Sequence, residues 1–262
     1  MPLTLYQVDA FADRLFTGNP AAVIKLDAFL TVDLMQSIAM ENNLSETAYV
    51  VPRGTPGQYD LRWFTPKVEI EFCGHATIAT AHILFTEYQL TPPYDFHTQI
   101  GLLSVDVVNG KYAMRAPIVP FKETEITPRI KAAFPVPLSG AFLVEKYLFV
   151  VFKNAADIAN FIPNMTLIAP LSDRGVGITA TDVEGYDCIS RYFVPELGVD
   201  EDPVTGSAHA RLGPYWSKKL NKTSLKARQA SQRGGDLWLE VSNDHITVSG
   251  YALTYMRGEV EI

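Results

Sequence analysis

The chain has 262 residues, 47% hydrophobic and 19% charged, the balance of a globular protein with room for one large core or two ordinary ones. A formal charge of −7 argues against a nucleic-acid partner, because neutralising phosphates takes clustered Lys and Arg. No apolar run approaches the ~20 residues that a bilayer crossing needs, the first residues carry no signal-peptide pattern, and two cysteines make no disulfide framework, so a cytoplasmic protein without a membrane partner is expected.

From the N-terminus, Leu3 to Val8 alternates as a strand, Thr17-Gly18-Asn19-Pro20 turns the chain, and Ala21 to Ile24 reads as a second strand. Thr31-Val32-Asp33 opens a helix through Asn42, followed by strands at Ser45–Val51 and Tyr59–Phe64. A helix from about Ala76 to Tyr88 is apolar nearly all round, which demands burial on most sides and is most simply met by a sheet wrapped around it. Strands at Leu102–Val108 and Lys111–Ala116 are joined by Asn109-Gly110, a two-residue hairpin turn.

Pro117 to Pro128 reads as the passage into a second half with strands at Ala141–Val144, Tyr147–Phe152, Ile178–Thr181 and Tyr186–Phe193. A second Ala-rich helix is predicted from about Thr205 to Leu220, its register interrupted at Gly213-Pro214. The basic stretch from Lys218 to Arg233 spreads its charges and reads as a solvated face, and the chain ends in alternating strands. The architecture expected is α+β: two pseudo-equivalent halves, 1–116 and 117–251, each a curved mixed sheet wrapped around a central helix.

The halves resemble each other. Arg62-Trp63-Phe64-Thr65-Pro66 recurs as Arg191-Tyr192-Phe193-Val194-Pro195, an offset of 129 (191 − 62) that sets Asp202 opposite Cys73. A slide of three residues instead sets Gly206 on Gly74 and Ser207 on His75. Either register puts a reactive loop at a predicted helix start in each half. A repeat this long indicates duplicated domains rather than a solenoid, with an active site expected in the cleft between them.

Asp202-Pro203 ahead of Val204-Thr205-Gly206-Ser207 has the form of an acidic N-cap with proline in the first turn; capping alone would account for Asp202, and a helix start that can receive a carboxylate is the functional reading beside it. Gly74 and Gly206 would let a ligand approach the backbone. Cys73-Gly74-His75 allows a metal site, a Cys–His nucleophile, or an acid–base or polar His75 lined by Cys73. The lack of a second Cys/His cluster disfavours the first and adjacency in sequence the second, so the third is preferred. His82, His97, His209 and His245 carry no surrounding signal and read as structural or exposed. Glu46 shares a strand face with Leu44 and Ala48. Pattern alone favours a water-facing edge charge; facing inward, its carboxyl would suit proton transfer near neutrality.

At these residues the chain resembles the PhzF-like phenazine-biosynthesis isomerase family, a branch of the diaminopimelate-epimerase-like fold. The matching blocks are Val8–Phe11 with Thr17–Val23, Asn43–Ala48, Arg62–Pro66 with Cys73–Thr77, Asp202–Ala208, and Gln232–Gly235, in the family's order over nearly the whole chain. The resemblance implies a cleft between two domains, a final strand at 252–262 that crosses back to the first domain, a homodimer, and no metal or organic cofactor. It implies Glu46 as the proton-shuttling acid/base, His75, Asp202 and Ser207 as substrate-holding residues, and Gly74 and Gly206 as backbone N–H donors. Epimerases of the same fold use one cysteine from each half; here Cys73 can fill the first place, but Asp202 stands near the second and Cys188 lies too early. The function expected is a cofactor-independent isomerase moving a proton between carbons of a small carboxylated substrate. A one-thiol epimerase using Cys73 and a non-catalytic small-molecule-binding protein remain the alternatives.

Overall fold

The computed structural model describes residues 2–197 and 199–262. The chain divides into two compact units, Met1–Arg115 with Ser249–Ile262, and Ala116–Val248. In chain order the first unit supplies β1 (Leu3–Ala10), β2 (Asn19–Lys25), α1 (Val32–Asn42), β3 (Glu46–Pro52), β4 (Gln58–Phe64), β5 (Glu69–Ile70), α2 (Gly74–Thr86), β6 (Tyr94–Thr98), β7 (Gly101–Val108) and β8 (Lys111–Pro117). The second supplies β9 (Phe121–Thr124), α3 (Pro128–Ala133), β10 (Leu138–Val144), β11 (Tyr147–Phe152), α4 (Ala155–Asn160), α5 (Met165–Ile168), β12 (Val176–Ala180), β13 (Cys188–Val194), β14 (Val199–Glu201), α6 (Gly206–Leu220), β15 (Ser224–Gln229), β16 (Gly235–Val241) and β17 (His245–Gly250). The last strand, β18 (Ala252–Val260), lies in the first unit, antiparallel to β1.

The first sheet runs β18, β1, β2, β3, β4, β6, β7, β8, with β5 also on β4; β2–β3 and β4–β6 are parallel and the other pairs antiparallel. The second unit repeats this step for step: β9–β10–β11, β12–β13–β14 and β15–β16 are antiparallel, and β11–β12 and β13–β15 are parallel. Each parallel step is crossed through helix, as a parallel pair requires.

Every residue of α2 from Gly74 to Leu84 is buried, and the helix packs on β1, β2, β3, β7 and β18. Ile78, Ile83 and Leu84 are wholly enclosed, each contributing roughly 1.5–3 kcal/mol by leaving water. Outside this sheet, α1 buries Met35, Ile38 and Ala39 against Leu5, Ile24, Tyr49 and Phe64. Thr31 caps α1 by accepting the Leu34 N–H, and Asn43 ends it in the left-handed region (φ 50°), which asparagine tolerates better than most residues.

Two helix readings are corrected. First, α2 begins at Gly74, two residues before the predicted Ala76. Second, α6 runs unbroken through Gly213 and Pro214. A β-carbon on Gly213 would stand 2.4 Å from Ile246 Cδ1, so the glycine brings α6 close against β17, and this packing outweighs the hydrogen bond that Pro214 cannot make. Among the described residues, no helix is long and apolar enough to cross a membrane.

The internal repeat resolves at two salt bridges. Arg62 on β4 grips Glu69 on β5 through bonds of 2.7 and 2.8 Å, and Arg191 on β13 grips Glu201 on β14 through bonds of 2.7 and 2.8 Å. Phe64 pairs with Glu69 as Phe193 pairs with Glu201. The offset is therefore 129 through the strands and 132 (201 − 69) from these pairs onward. Both registers hold, in different places, because the connection 194–200 is three residues longer than 65–68. Arg191 is the deeper of the two, its side chain 10% exposed against 24% for Arg62, and it also donates to Phe161 O at 2.5 Å. Glu201→Gln should cost about 1.5–3 kcal/mol, as loss of hydrogen bonds to a charged group does, and more than Glu69→Gln. Urea unfolding of the two variants checks this; equal losses would contradict it.

Candidate active site

Glu46 opens β3, which is interior: Ala21 of β2 is its partner on one side, and β4 lies on the other. Its side chain is 14% exposed and Oε2 lies 2.8 Å from Nε2 of His75. The water-facing edge position favoured by the pattern is thus overturned, because alternation cannot show that a strand has neighbours on both flanks. The 2.8 Å contact is an ion-pair distance but lacks the alignment of a hydrogen bond, and Glu46 Oε2 has no hydrogen-bond partner.

His75 is the second residue of α2 and is 5% exposed. Its Nδ1 lies 3.2 Å from Asn19 Nδ2 and 3.5 Å from Cys73 Sγ. The Ser45 hydroxyl donates to Asn19 Oδ1 at 3.2 Å. So Cys73 and His75 do meet, because Cys73 stands in extended backbone at the N-cap position while His75 is already helical.

In the second unit, Asp202 precedes the helix instead of capping it. Its backbone N–H donates to Tyr192 O at 3.0 Å, its carboxylate accepts the Thr205 hydroxyl, and Thr205 is the N-cap residue. Gln229, fully buried on β15, holds the loop: Oε1 accepts the Thr205 N–H at 2.8 Å, and Nε2 donates to Asp202 O at 2.6 Å. Gly206 and Ser207 open α6 as Gly74 and His75 open α2. The first helical bonds run from Thr77 N to Cys73 O and from His209 N to Thr205 O. The N–H groups of Gly74, His75, Ala76, Gly206, Ser207 and Ala208 therefore have no acceptor within their helices.

The structure assigns equivalents across the repeat. Tyr49 pairs with Arg62 as Ile178 pairs with Arg191, so three residues back Glu46 corresponds to Gly175. Cys73 corresponds to Thr205 and His75 to Ser207. Among the described residues the titratable cluster is thus found in the first unit alone; its counterpart holds a glycine and two hydroxyls.

Residues 8–258 match the family model described as phenazine biosynthesis-like protein (PhzC-PhzF). The chain belongs to this family. It is 41% identical to an uncharacterized isomerase of Pseudomonas aeruginosa, over the full length of both chains. Against the crystal structure of a phenazine biosynthesis protein, PhzF family, from Enterococcus faecalis, it shows 42% identity and a TM-score of 0.95, covering all of both chains. A probable proline racemase from Agrobacterium radiobacter, 11% identical, superposes with a TM-score of 0.66 over 99% of this chain and 93% of that one, and shares the fold. The PhzF-family chain is an isomerase, the class of its curated relatives.

Burial, with Glu46 second, pushes the Cys73 thiol up to about 11, against the pull of His75 and the Ala76 N–H. Burial by itself lowers His75; a charged Cys73 together with Glu46 would carry it well above the ordinary histidine value. The thiol stays neutral near pH 7, so its share is absent there and burial opposes Glu46 alone. The donor atoms of Glu46, Cys73 and His75 all lie within 4.8 Å of one another, a grouping that sequence spacing did not reveal.

The remaining histidines lie outside the cluster. His82 sits between Tyr112 and Thr254, and His209 between Ser190 and Thr205. His97 Nε2 is buried without a partner, and His245 lies beside Asp244. Asn19, Ser45 and Gln229 are the residues that sequence reasoning passed over. The signal available for Asn19 was a polar side chain in a turn leading directly into an apolar strand.

Proposed function

We propose that the chain is a cofactor-independent isomerase that moves a proton between carbon positions of a small carboxylated substrate, a cyclic dienoic acid being one such class. Glu46 takes the proton from carbon and returns it elsewhere on the same molecule. His75, Asp202 and Ser207 hold the substrate, and the N–H groups of Gly74 and Gly206 receive its carboxylate. The observation that carries this reading is Glu46 Oε2, buried, 2.8 Å from His75 Nε2 and without a hydrogen-bond partner. The one-sided cluster adds to it: Gly175 and Thr205 stand opposite Glu46 and Cys73, so neither has an ionisable equivalent in the second unit, and one carboxyl acting on one face suits a proton shift better than an inversion.

Incubation with candidate acids in heavy water, read by mass spectrometry, tests the proposal. Deuterium should enter at carbon with the wild type and with Cys73→Ala, and should not enter with Glu46→Gln. Wash-in that depends on Cys73 and persists without Glu46 would transfer the chemistry to the thiol. Exhaustive treatment with a chelator should leave the exchange rate unchanged within twofold; a tenfold loss restored by added metal would overturn cofactor independence.

A further inference from the structure

We propose that Asn19, oriented by Ser45, is a positioning residue that donates its side-chain N–H to Nδ1 of His75 and keeps the ring neutral, with its proton on Nε2 beside Glu46. Asn19 is fully buried at the start of β2, and β2 runs parallel to β3, whose first residue is Glu46. With the Ser45 hydroxyl donating to Oδ1, the nitrogen end of the Asn19 amide faces the ring, and an amide nitrogen can only donate. Nδ1 must then offer a lone pair, which the imidazolium lacks.

The consequence bears on the proposed reaction, and this step rests on the preceding assignment of Glu46. A charged ring 2.8 Å from Glu46 Oε2 would lock the carboxylate in an ion pair and weaken it as a base. A neutral ring leaves the carboxylate free and supplies an N–H to a substrate oxygen. The absence of hydrogen-bond alignment between Nε2 and Oε2 agrees with a pair that is not locked.

The test is 15N-correlated NMR of the histidine rings of the whole protein at pH 7, with His75 assigned by its loss in His75→Gln. In the wild type Nε2 should be protonated and Nδ1 bare. Asn19→Asp, nearly isosteric but offering a carboxylate in place of the N–H, should protonate both nitrogens, and Ser45→Ala should shift the ring part of the way. A wild-type ring protonated on both nitrogens would overturn the proposal without any variant. So would an unchanged ring in Asn19→Asp. In steady-state assays Asn19→Asp should lower kcat at least tenfold with KM within threefold. The Glu46 assignment is judged separately by exchange in Glu46→Gln, so a failed tautomer and a misassigned base give different results.

Discussion

Glu46→Gln should lower kcat by about 10²–10⁴-fold, the contribution usual for a positioned general acid or base, while KM stays within a few-fold. The amide keeps the shape of the side chain and its place at the head of β3, so the pocket that receives the substrate is unchanged. It cannot accept a proton from carbon. The residual rate would come from positioning alone, which persists when the base is removed. The same variant should fold as well as the wild type or better. Oε2 makes no hydrogen bond to lose, and a charge on a side chain only 14% exposed is a cost to the fold. Loss of turnover with stability kept or gained is the signature of a residue retained for chemistry. The measurement is kcat and KM on whichever acid shows wash-in, with thermal unfolding alongside. Full turnover by the variant would end the assignment. Cys73→Ala is the contrast: its thiol, pushed up to about 11, is protonated at working pH, and its loss should change kcat by less than tenfold.

Local chemistry made much of the fold legible. Thr31 and Asn43 bracket α1 because a hydroxyl cap and a left-handed asparagine are written in the residues themselves. Asn109 and Gly110 turn at φ 51° and 75°, as their identities require. The apolar circumference of α2 announced its enclosure. What stayed illegible depends on partners distant in sequence. Strand β15 was hidden because Lys226 and Arg228 alternate with Leu225, Ala227 and Gln229 and read as a solvated charge run. In the structure those two cations lie over the Tyr186 ring, a position no window of local sequence can supply. The N-cap of α6 was misplaced for a related reason. Asp202-Pro203 has the right local form, but Gln229 and Tyr192 claim the backbone of that segment and move the start to Gly206. Glu46 was the hardest: its inward face follows from the pairing of β2, β3 and β4, and only then does its proximity to His75 appear.

The stability of the fold should fall as pH drops from about 6.5 toward 4, through two histidines that take no part in the proposed reaction. Burial holds His82 down to about 4, and burial, opposed by the Thr205 carbonyl, does the same for His209. In the unfolded chain both return to about 6.5. Between these values the unfolded state binds the more protons, so stability rises with pH across the window. It is complete above about 6.5 and lost as pH falls toward 4. A shift of about 2.5 units at 1.36 kcal/mol per unit amounts to about 3 kcal/mol for each site, a large share of the 5–15 kcal/mol typical of a folded domain. Urea unfolding at pH 7.5, 6.5, 5.5 and 5.0 should show the decline before ordinary carboxylates titrate. His82→Gln and His209→Gln should each flatten it, in the first and second unit respectively. Were the unfolding midpoint the same at pH 5.0 and 7.5, the two rings could not be buried as neutral donors between Tyr112 and Thr254, and between Ser190 and Thr205.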